Sequence, residues 1–308
     1  MIMKHFKLLF LFFLSPWATL FAQTAAIPGA VPTEKALLWE ISGNGLKQPS
    51  FLYGTIHMIG KKDFFITPAT KTALEKAKHV TFEINMEEMT DNVMALFPLL
   101  MQSFMRNDTT LSDLLTPQEY ELVKKHFESI GLPFMMLNRI KPMFLTAMDP
   151  SAMTGMGAAD GAGADGVVSY EMEFLSMAKA QKKTIGGLET AAFQMSMFDS
   201  IPYRVQAKML VSSLSQEEGK SDGEFAKMVE LYKSQDIQAM QTMMDNSEGV
   251  DGYQTLLLVN RNKKWIPIMG KMMIEKPTFF AVGAGHLGGV NGVIALLRKA
   301  GYTVQAKS

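Results

Sequence analysis

Short apolar runs near both ends of the chain predict β-strands. In the run at residues 79–85, apolar and polar side chains alternate, which is the period of a strand with one buried face. Residues 43–45, Gly-Asn-Gly, lie between the first two runs and predict a hairpin turn. The predicted strands cover residues 37–42, 50–56, 79–85, 183–188, 278–282 and 302–305.

The long middle of the chain has helical spacing of its apolar residues. Thr67 followed by Pro68 is typical of a helix start. The glycine- and alanine-rich segment 152–166 predicts a loop, either a mobile lid over a site or an ordinary connection. The predicted helices cover residues 68–79, most of 86–148 (with breaks at 107–110 and 131–133), 167–181, 190–245, 260–273 and 291–300.

This order of elements predicts an α/β, or α+β, fold. Its centre is a mixed β-sheet formed by the N- and C-terminal strands and flanked by helices, with a large helical insertion in the middle of the chain.

The N-terminus predicts a targeting segment. Lys4 and Lys7 precede an apolar run at residues 8–14, and small residues follow, which is the pattern of a secretory signal peptide. We therefore expect a signal peptide at residues 1–23, a flexible leader at 24–35 and a single domain at 36–308. No later apolar run reaches the roughly 18 residues of a spanning helix, so we expect no integral membrane span in the mature chain. The expected location is the bacterial periplasm or the medium.

Composition narrows the chemistry. Lysine plus arginine and aspartate plus glutamate each number 30, so no strong basic field supports nucleic-acid binding. The chain has no cysteine, which excludes disulfides, thiolate metal ligands and a cysteine nucleophile. A metal site would use imidazole, carboxylate, amide or water ligands, which suit zinc, manganese, cobalt or iron. The 26 methionines either fill gaps in the core or form an adaptable apolar binding surface.

Two segments more than two hundred positions apart have the same design. Each is an apolar run that breaks at a glycine and presents a histidine three positions later: Gly54 with His57, and Gly283 with His286. Glycine permits a sharp turn or a close approach, and the ends of strands are where ligand sites lie in α/β sheets. Each histidine is either a metal ligand or catalyst, or a structural residue. His79 and His126 lack this context, and we interpret both as structural.

Four further residues are candidates for catalysis: Glu83, Glu189, Arg261 and Asn262. Glu83 lies in a predicted strand between apolar neighbours, so it is paired, bound to a metal or exposed at a sheet edge. Glu189 ends a predicted strand and is either a site residue or the cap of the next helix. Arg261 and Asn262 begin a predicted helix, where a solvated helix face is the alternative.

The motifs together resemble the TraB/PrgY/GumN family, relatives of the animal Tiki proteases. The resemblance covers nearly the whole chain after residue 36, in the family's order. It departs in the unusually glycine- and alanine-rich loop at 152–166. The segments that carry it are 37–42, 51–57, Phe82-Glu83, Gly163-Ala164-Asp165, Gly187-Leu188-Glu189-Thr190 with Gln194, Arg261-Asn262, 283–289 and 301–304.

The resemblance implies a metal-dependent, peptidase-like site. It implies that His57, Glu83 and His286 bind the metal or catalyse, and that Arg261 and Asn262 orient a substrate carbonyl or stabilise an oxyanion.

The resulting hypothesis is an exported metal-dependent hydrolase, a peptidase acting on a peptide or small protein with manganese, cobalt or zinc. Two alternatives stay open. One is a non-catalytic protein that binds or sequesters peptides. The other is a metal-free, esterase-like hydrolase in which a histidine is the general base and Glu83 orients it.

Overall fold

The computed structural model describes most of the chain after residue 28. The predicted signal peptide, residues 24–28 of the leader and residues 152–165 of the predicted loop lie outside the described residues. The described residues are 29–91, 93–148, 166–215, 220–245 and 252–307.

A six-stranded mixed sheet forms the centre of the fold, in the order β6-β4-β7-β2-β1-β8. Two short strands, β3 and β5, pair separately. The strands are β1 Leu38–Gly43, β2 Ser50–Thr55, β3 Ile59–Gly60, β4 His79–Ile84, β5 Val167–Val168, β6 Thr184–Glu189, β7 Thr278–Gly283 and β8 Tyr302–Lys307.

Helices cover the sheet and fill the middle of the chain. The α-helices are α1 Pro68–Lys76, α2 Met86–Asp91, α3 Val93–Gln102, α4 Leu111–Leu114, α5 Pro117–Ser129, α6 Phe134–Leu137, α7 Pro142–Met148, α8 Tyr170–Ala180, α9 Ala191–Met197, α10 Tyr203–Ser215, α11 Lys220–Lys233, α12 Ile237–Asp245, α13 Asn260–Glu275 and α14 Val293–Lys299. Short 3₁₀ turns lie at Phe198–Ser200 and Ala284–His286, and a π-helical turn at Thr255–Val259. The predicted fold class, a mixed α/β sheet flanked by helices with a helical middle, is confirmed.

The four strands β6, β4, β7 and β2 run parallel to one another, while β1 is antiparallel to both β2 and β8. All four parallel strands therefore end at one side of the sheet, which we call the carboxyl edge. Strands β2 and β7 are direct neighbours, with Thr55 opposite Gly283. The two glycine–histidine segments, far apart in sequence, thus lie side by side and finish at this edge.

Glycine at position 54 permits this close packing. A Cβ there would lie 2.9 Å from a methyl carbon of Leu287 and 3.1 Å from the Cα of Ala284, so any other residue would displace the Leu287 side chain and push Ala284 away by a few tenths of an ångström. Of the two predicted reasons for this glycine, a sharp turn or a close approach, the structure has the close approach.

Two predicted helices differ from the structure. The helix predicted at 167–181 begins only at Tyr170, because Val167–Val168 pair with β3 and the Ser169 side chain accepts from the Met172 amide as an N-cap. The region 190–245, predicted as helical, is divided into several helices. One division lies before Pro202, and another lies at Gln235, whose left-handed backbone (φ 58°) follows the end of α11.

The apolar residues form two cores. The larger surrounds the sheet and contains Trp39, Tyr53, Phe279 and Phe280, all almost fully buried. The smaller lies within the helical middle, where α4, α5, α6 and α7 pack together with α10. Among the described residues, no helix has both the length and the apolar character needed to cross a membrane.

Candidate active site at the carboxyl edge

The carboxyl edge gathers the candidate residues from four strand ends. His57 follows β2, Glu83 lies near the end of β4, Glu189 ends β6 and His286 follows β7. Arg261 comes from the first turn of α13, directly after the π-helical turn at 255–259. Such π turns occur often at functional sites.

Arg261 is the centre of the site, and its guanidinium uses all five of its N–H groups. Nε donates to Glu189 Oε1 at 2.7 Å, and Nη1 donates to the Leu257 carbonyl at 3.0 Å and to His286 Nε2 at 3.2 Å. Nη2 donates to Glu83 Oε2 at 2.5 Å and to Glu189 Oε1. The alternative of a solvated helix face is wrong, because this side chain is buried. In this arrangement Arg261 has no N–H left for a substrate.

Asn262, the next residue, is equally occupied. Its Oδ1 lies 2.6 Å from His286 Nδ1, and its Nδ2 donates to the Asn291 carbonyl at 2.9 Å. Like Arg261 it is buried. The role that the resemblance implies for this pair, contact with a substrate carbonyl, would require both side chains to leave their present partners.

Glu83 is held by groups from three elements. Oε1 accepts from the Gly283 amide at 2.9 Å, and Oε2 accepts from Arg261 and from Gln194 Nε2 at 3.2 Å. The sheet-edge alternative is wrong because β4 lies between β6 and β7. Burial raises the pKa of Glu83, but other groups outweigh it and lower the pKa to about 2. These are His286, which is protonated only at the low pH where Glu83 titrates, the charges of Arg261 and His57, and the Gly283 amide.

Glu189 belongs to the same network. Its carboxylate accepts from Arg261, from Gln194 Nε2 at 2.8 Å and from Trp265 Nε1 at 3.2 Å. The capping alternative is wrong, because Thr190 caps the next helix by accepting from the Phe193 amide. Two carboxylates therefore share one buried guanidinium.

His286 is buried and neutral. Because a guanidinium only donates, the imidazole Nε2 accepts from Arg261, so Nδ1 carries the hydrogen and donates to Asn262 Oδ1. Burial lowers the pKa of His286 to about 4, although the Glu83 charge opposes this. The ring also packs against Trp265, with centroids 4.4 Å apart.

His57 has the opposite environment. Its side chain is 71% exposed, and its Nδ1 lies 3.0 Å from Glu171 Oε1. Glu171 is itself held by the hydroxyls of Thr55 at 2.7 Å and Ser169 at 3.2 Å. The hydrogen bond to Glu171 raises the pKa of His57 to about 9. This imidazole is therefore protonated near neutral pH.

Sequence reasoning missed Glu171 and Trp265 and gave Gln194 no role. Glu171 and Glu173 both lie in the first turn of α8, where acids are common because they favour the helix dipole. Only the pairing of β3 with β5, which brings the start of α8 beside β2, shows that Glu171 reaches His57. His79 is outside the site, as expected, and bonds Thr184 at 2.7 Å.

A cleft of about 1020 Å³ opens over the exposed part of the site. Its polar lining includes His57, Glu83, Glu171 and Gln194. The volume lies at the upper end of the range for ligand pockets, so the cleft has room for a segment of a peptide.

In this structure the predicted metal ligands, His57, Glu83 and His286, are not arranged to bind one ion. Among the described residues, no three histidine, aspartate or glutamate side chains are arranged to hold an ion. His286 Nε2 lies 3.6 Å from Glu83 Oε1, but Arg261 donates to both residues and takes the place where a cation would stand. The donor types suit manganese, cobalt or zinc, whereas their present arrangement does not fit one.

Comparisons with known proteins confirm the resemblance to the family. The sequence model of the TraB/PrgY/gumN family matches residues 37–306. A Danio rerio protein named Metalloprotease TIKI1 is 24% identical over 321 residues, which cover 88% of this chain and 63% of that protein. The chain thus spans less than two thirds of this relative's length. No solved structure matches the chain significantly.

Proposed function

Because the chain belongs to the TraB/PrgY/gumN family, we propose that it is a hydrolase that cleaves peptide bonds in the cleft at the carboxyl edge. The family and a distant relative named as a metalloprotease support hydrolysis of a peptide or small protein. The structural observation that carries the proposal is the cleft itself, where an exposed protonated histidine and a buried ionised carboxylate line the same space.

His57 and Glu83 supply complementary chemistry. Glu171 holds Nδ1 of His57, which leaves Nε2 as the ring nitrogen available to a ligand. As an imidazolium, His57 donates to the oxygen of the scissile carbonyl and then gives a proton to the departing amine. Glu83 accepts a hydrogen bond from the attacking water and so orients it. The water adds to the carbonyl carbon as the C–N bond to the amine breaks, and the proton that the water releases passes by way of Glu83 to His57, replacing the one that His57 gave to the amine. Because the pKa of Glu83 is low, its carboxylate does not keep that proton.

Four residues form the network that holds Glu83 in place: Arg261, Glu189, Asn262 and His286. Arg261 keeps Glu83 ionised and fixed, and Glu189 fixes Arg261 in turn. His286, held by Asn262, supplies the acceptor for the remaining guanidinium hydrogen. In this proposal these four are positioning residues, and His57 and Glu83 are the catalytic residues.

Metal dependence is the second form of the proposal, favoured by the name of the Danio rerio relative. His57, Glu83 and His286 would then be the ligands of a manganese, cobalt or zinc ion. That arrangement requires Arg261 to leave Glu83 and His286. No step above depends on it.

One experiment separates these forms. Purified protein is assayed with a fluorogenic peptide library after chelator treatment and after addition of manganese, cobalt or zinc, and its metal content is measured. Turnover that resists chelation and falls in His57→Ala supports the metal-free form. Turnover restored only by a metal supports the second form. Saturable peptide binding with no turnover under any condition would contradict hydrolysis and indicate a peptide-binding protein.

We also propose that residues 1–23 direct export to the periplasm or the medium. N-terminal sequencing of the protein from a bacterial host tests this. A mature N-terminus near residue 23 is expected, and an intact N-terminus in the cytoplasmic fraction would contradict export.

A further inference from the structure

The lining of the cleft includes large apolar side chains as well as its few polar groups. We define the apolar wall as Met58, Met86, Met172, Phe225 and Met228, all of which line the cleft. Four of the chain's 26 methionines therefore lie in one place beside the site. Of the two alternatives for these methionines, this cluster favours an adaptable apolar binding surface.

The wall is assembled from separate elements. Met58 follows β2, Met86 begins α2 and Met172 lies in the first turn of α8. Phe225 and Met228 are three positions apart in α11, so they share one face of that helix. Because four elements contribute, the wall depends on the tertiary fold, and no single amphipathic helix explains it.

The wall residues are only partly buried. Met172 is 45% exposed, and Met58, Met86, Phe225 and Met228 have intermediate exposure. Fully buried methionines would be explained by core packing. Met86, Phe225 and Met228 pack partly against the larger core, but all five side chains also line the cleft. A ligand there would remove their remaining apolar surface from water.

The charges of the cleft also restrict its ligand. Among the described lining residues the charged ones are His57, Glu83 and Glu171, and no lysine or arginine lines the cleft. Each of these three charges already has a partner within the site. A charged ligand group placed against the wall would lose its hydration without gaining a partner.

We propose that the apolar wall binds a bulky apolar side chain, that of leucine, methionine or phenylalanine, next to the peptide bond to be cleaved. This inference rests on the proposed peptide hydrolysis and names its substrate class. Methionine side chains are flexible and polarisable, so the wall accepts side chains of different shape. Selectivity is therefore for bulk and apolarity, with little discrimination between these three residues.

The test compares six labelled peptides that differ at one central position, which is Leu, Met, Phe, Ala, Asp or Lys. Binding is measured by fluorescence anisotropy, and kcat/KM is measured for the same peptides where cleavage occurs. The Leu, Met and Phe peptides are expected to bind within about threefold of one another. They are expected to bind about tenfold or more tightly than the Ala, Asp and Lys peptides, given the free energy of burying one such side chain.

Two variants test whether the apolar wall causes the preference for apolar side chains. Met172→Lys, at a position exposed enough to tolerate the change, should reduce the preference for Leu over Asp at least about threefold. Met228→Ala should weaken binding of the Phe peptide more than that of the Ala peptide. Met135→Lys is the matched control, because Met135 is 90% exposed in α6 and does not line the cleft.

The outcomes distinguish this inference from the proposed hydrolysis. Apolar preference in binding without any cleavage would contradict hydrolysis and support the inference. Cleavage with similar kcat/KM for the Leu, Ala and Asp peptides would overturn the inference alone. It would also be overturned if no peptide bound, or if Met135→Lys changed the preference as much as Met172→Lys.

Discussion

The two histidines that follow the paired strands have the same sequence pattern and opposite environments. The His57 side chain is 71% exposed and pairs with a carboxylate, whereas that of His286 is 5% exposed and accepts from a guanidinium. The pKa of His57 is raised to about 9, and that of His286 is lowered to about 4. At neutral pH one ring is a cation in a cleft and the other is a neutral part of a buried network.

This difference shows what the pattern determines and what it leaves open. An apolar strand, a glycine and a histidine place the ring at the carboxyl edge in both cases. The neighbours then set its charge: Glu171 from α8 for His57, and Arg261 and Asn262 from α13 for His286. The pattern therefore predicts a position, and the long-range contacts decide the chemistry.

The largest expected effect comes from removing the buried cation of the site, the guanidinium of Arg261. Arg261→Met leaves Glu83 and Glu189 buried without their partner, so we expect the free energy of unfolding to fall by about 3–5 kcal/mol and activity to be lost. Urea unfolding at neutral pH measures the first effect.

The matched control is Arg139→Met. Arg139 pairs with Asp108 at 2.7 Å, but both side chains are at least half exposed, so this change should cost less than about 1 kcal/mol. Equal losses in the two variants would mean that the Arg261 network does not hold the site together.

Replacing each histidine by alanine separates a catalytic residue from a positioning residue. His286→Ala leaves Asn262 Oδ1 and one Arg261 N–H without their partner, so it should destabilise the fold by about 1–3 kcal/mol. His57→Ala removes an exposed ring and its ion pair with Glu171, so it should lower stability at neutral pH by about 1 kcal/mol or less while lowering kcat about 10²-fold or more. Unfolding curves and steady-state kinetics measure the two effects. An unchanged kcat in His57→Ala would refute its proposed role.

Much of the fold was predictable because it depends on local pattern. The strands were found from apolar runs, and all six strands of the central sheet lie within two residues of their predicted bounds. Four of these strands carry, or end within three residues of, a predicted site residue: His57, Glu83, Glu189 and His286. Chain periodicity and the ends of strands are local properties, and the sequence displays them directly.

The partners of these residues were not predictable in the same way. Glu171 lies 114 positions from His57, and Arg261 lies 178 positions from Glu83. The beginning of a helix suggested a solvated position for Arg261, since such positions are usually exposed. Its burial follows from two carboxylates on neighbouring parallel strands, whose pairing no local pattern reports.

The two histidines should give stability opposite slopes with pH. The pKa of His286 is about 4 in the folded chain and roughly 6.5 when unfolded. The unfolded chain therefore binds the extra proton in this window, and stability falls as pH drops from about 6.5 to 4. The pKa of His57 is about 9 when folded, so its stabilising contribution, which is small because the ring is exposed, is lost as pH rises from about 6.5 to 9. Glu83 adds a further loss below about pH 4.5.

Urea unfolding at about pH 5, 6.5 and 8.5 measures both slopes. His57→Ala should flatten the alkaline slope and leave the acid one, since the two rings belong to separate hydrogen-bonded groups. If His57→Ala changed only the acid slope, the assignment of the two environments would be reversed.

The smallest effect tests the His57 side alone. Glu171→Gln keeps the size of the side chain and removes its charge, so the pKa of His57 should fall from about 9 toward the ordinary value of roughly 6.5, with little change in stability. An NMR titration of the His57 ring, assigned with His57→Ala, measures this shift.

Glu173→Gln is the control, because Glu173 is exposed on the same turn of α8 and should leave the titration unchanged. A His57 pKa that stays near 9 in Glu171→Gln would show that Glu83, the other acid that raises this pKa, holds the proton on the ring, and the exposed histidine would then belong to the same network as His286.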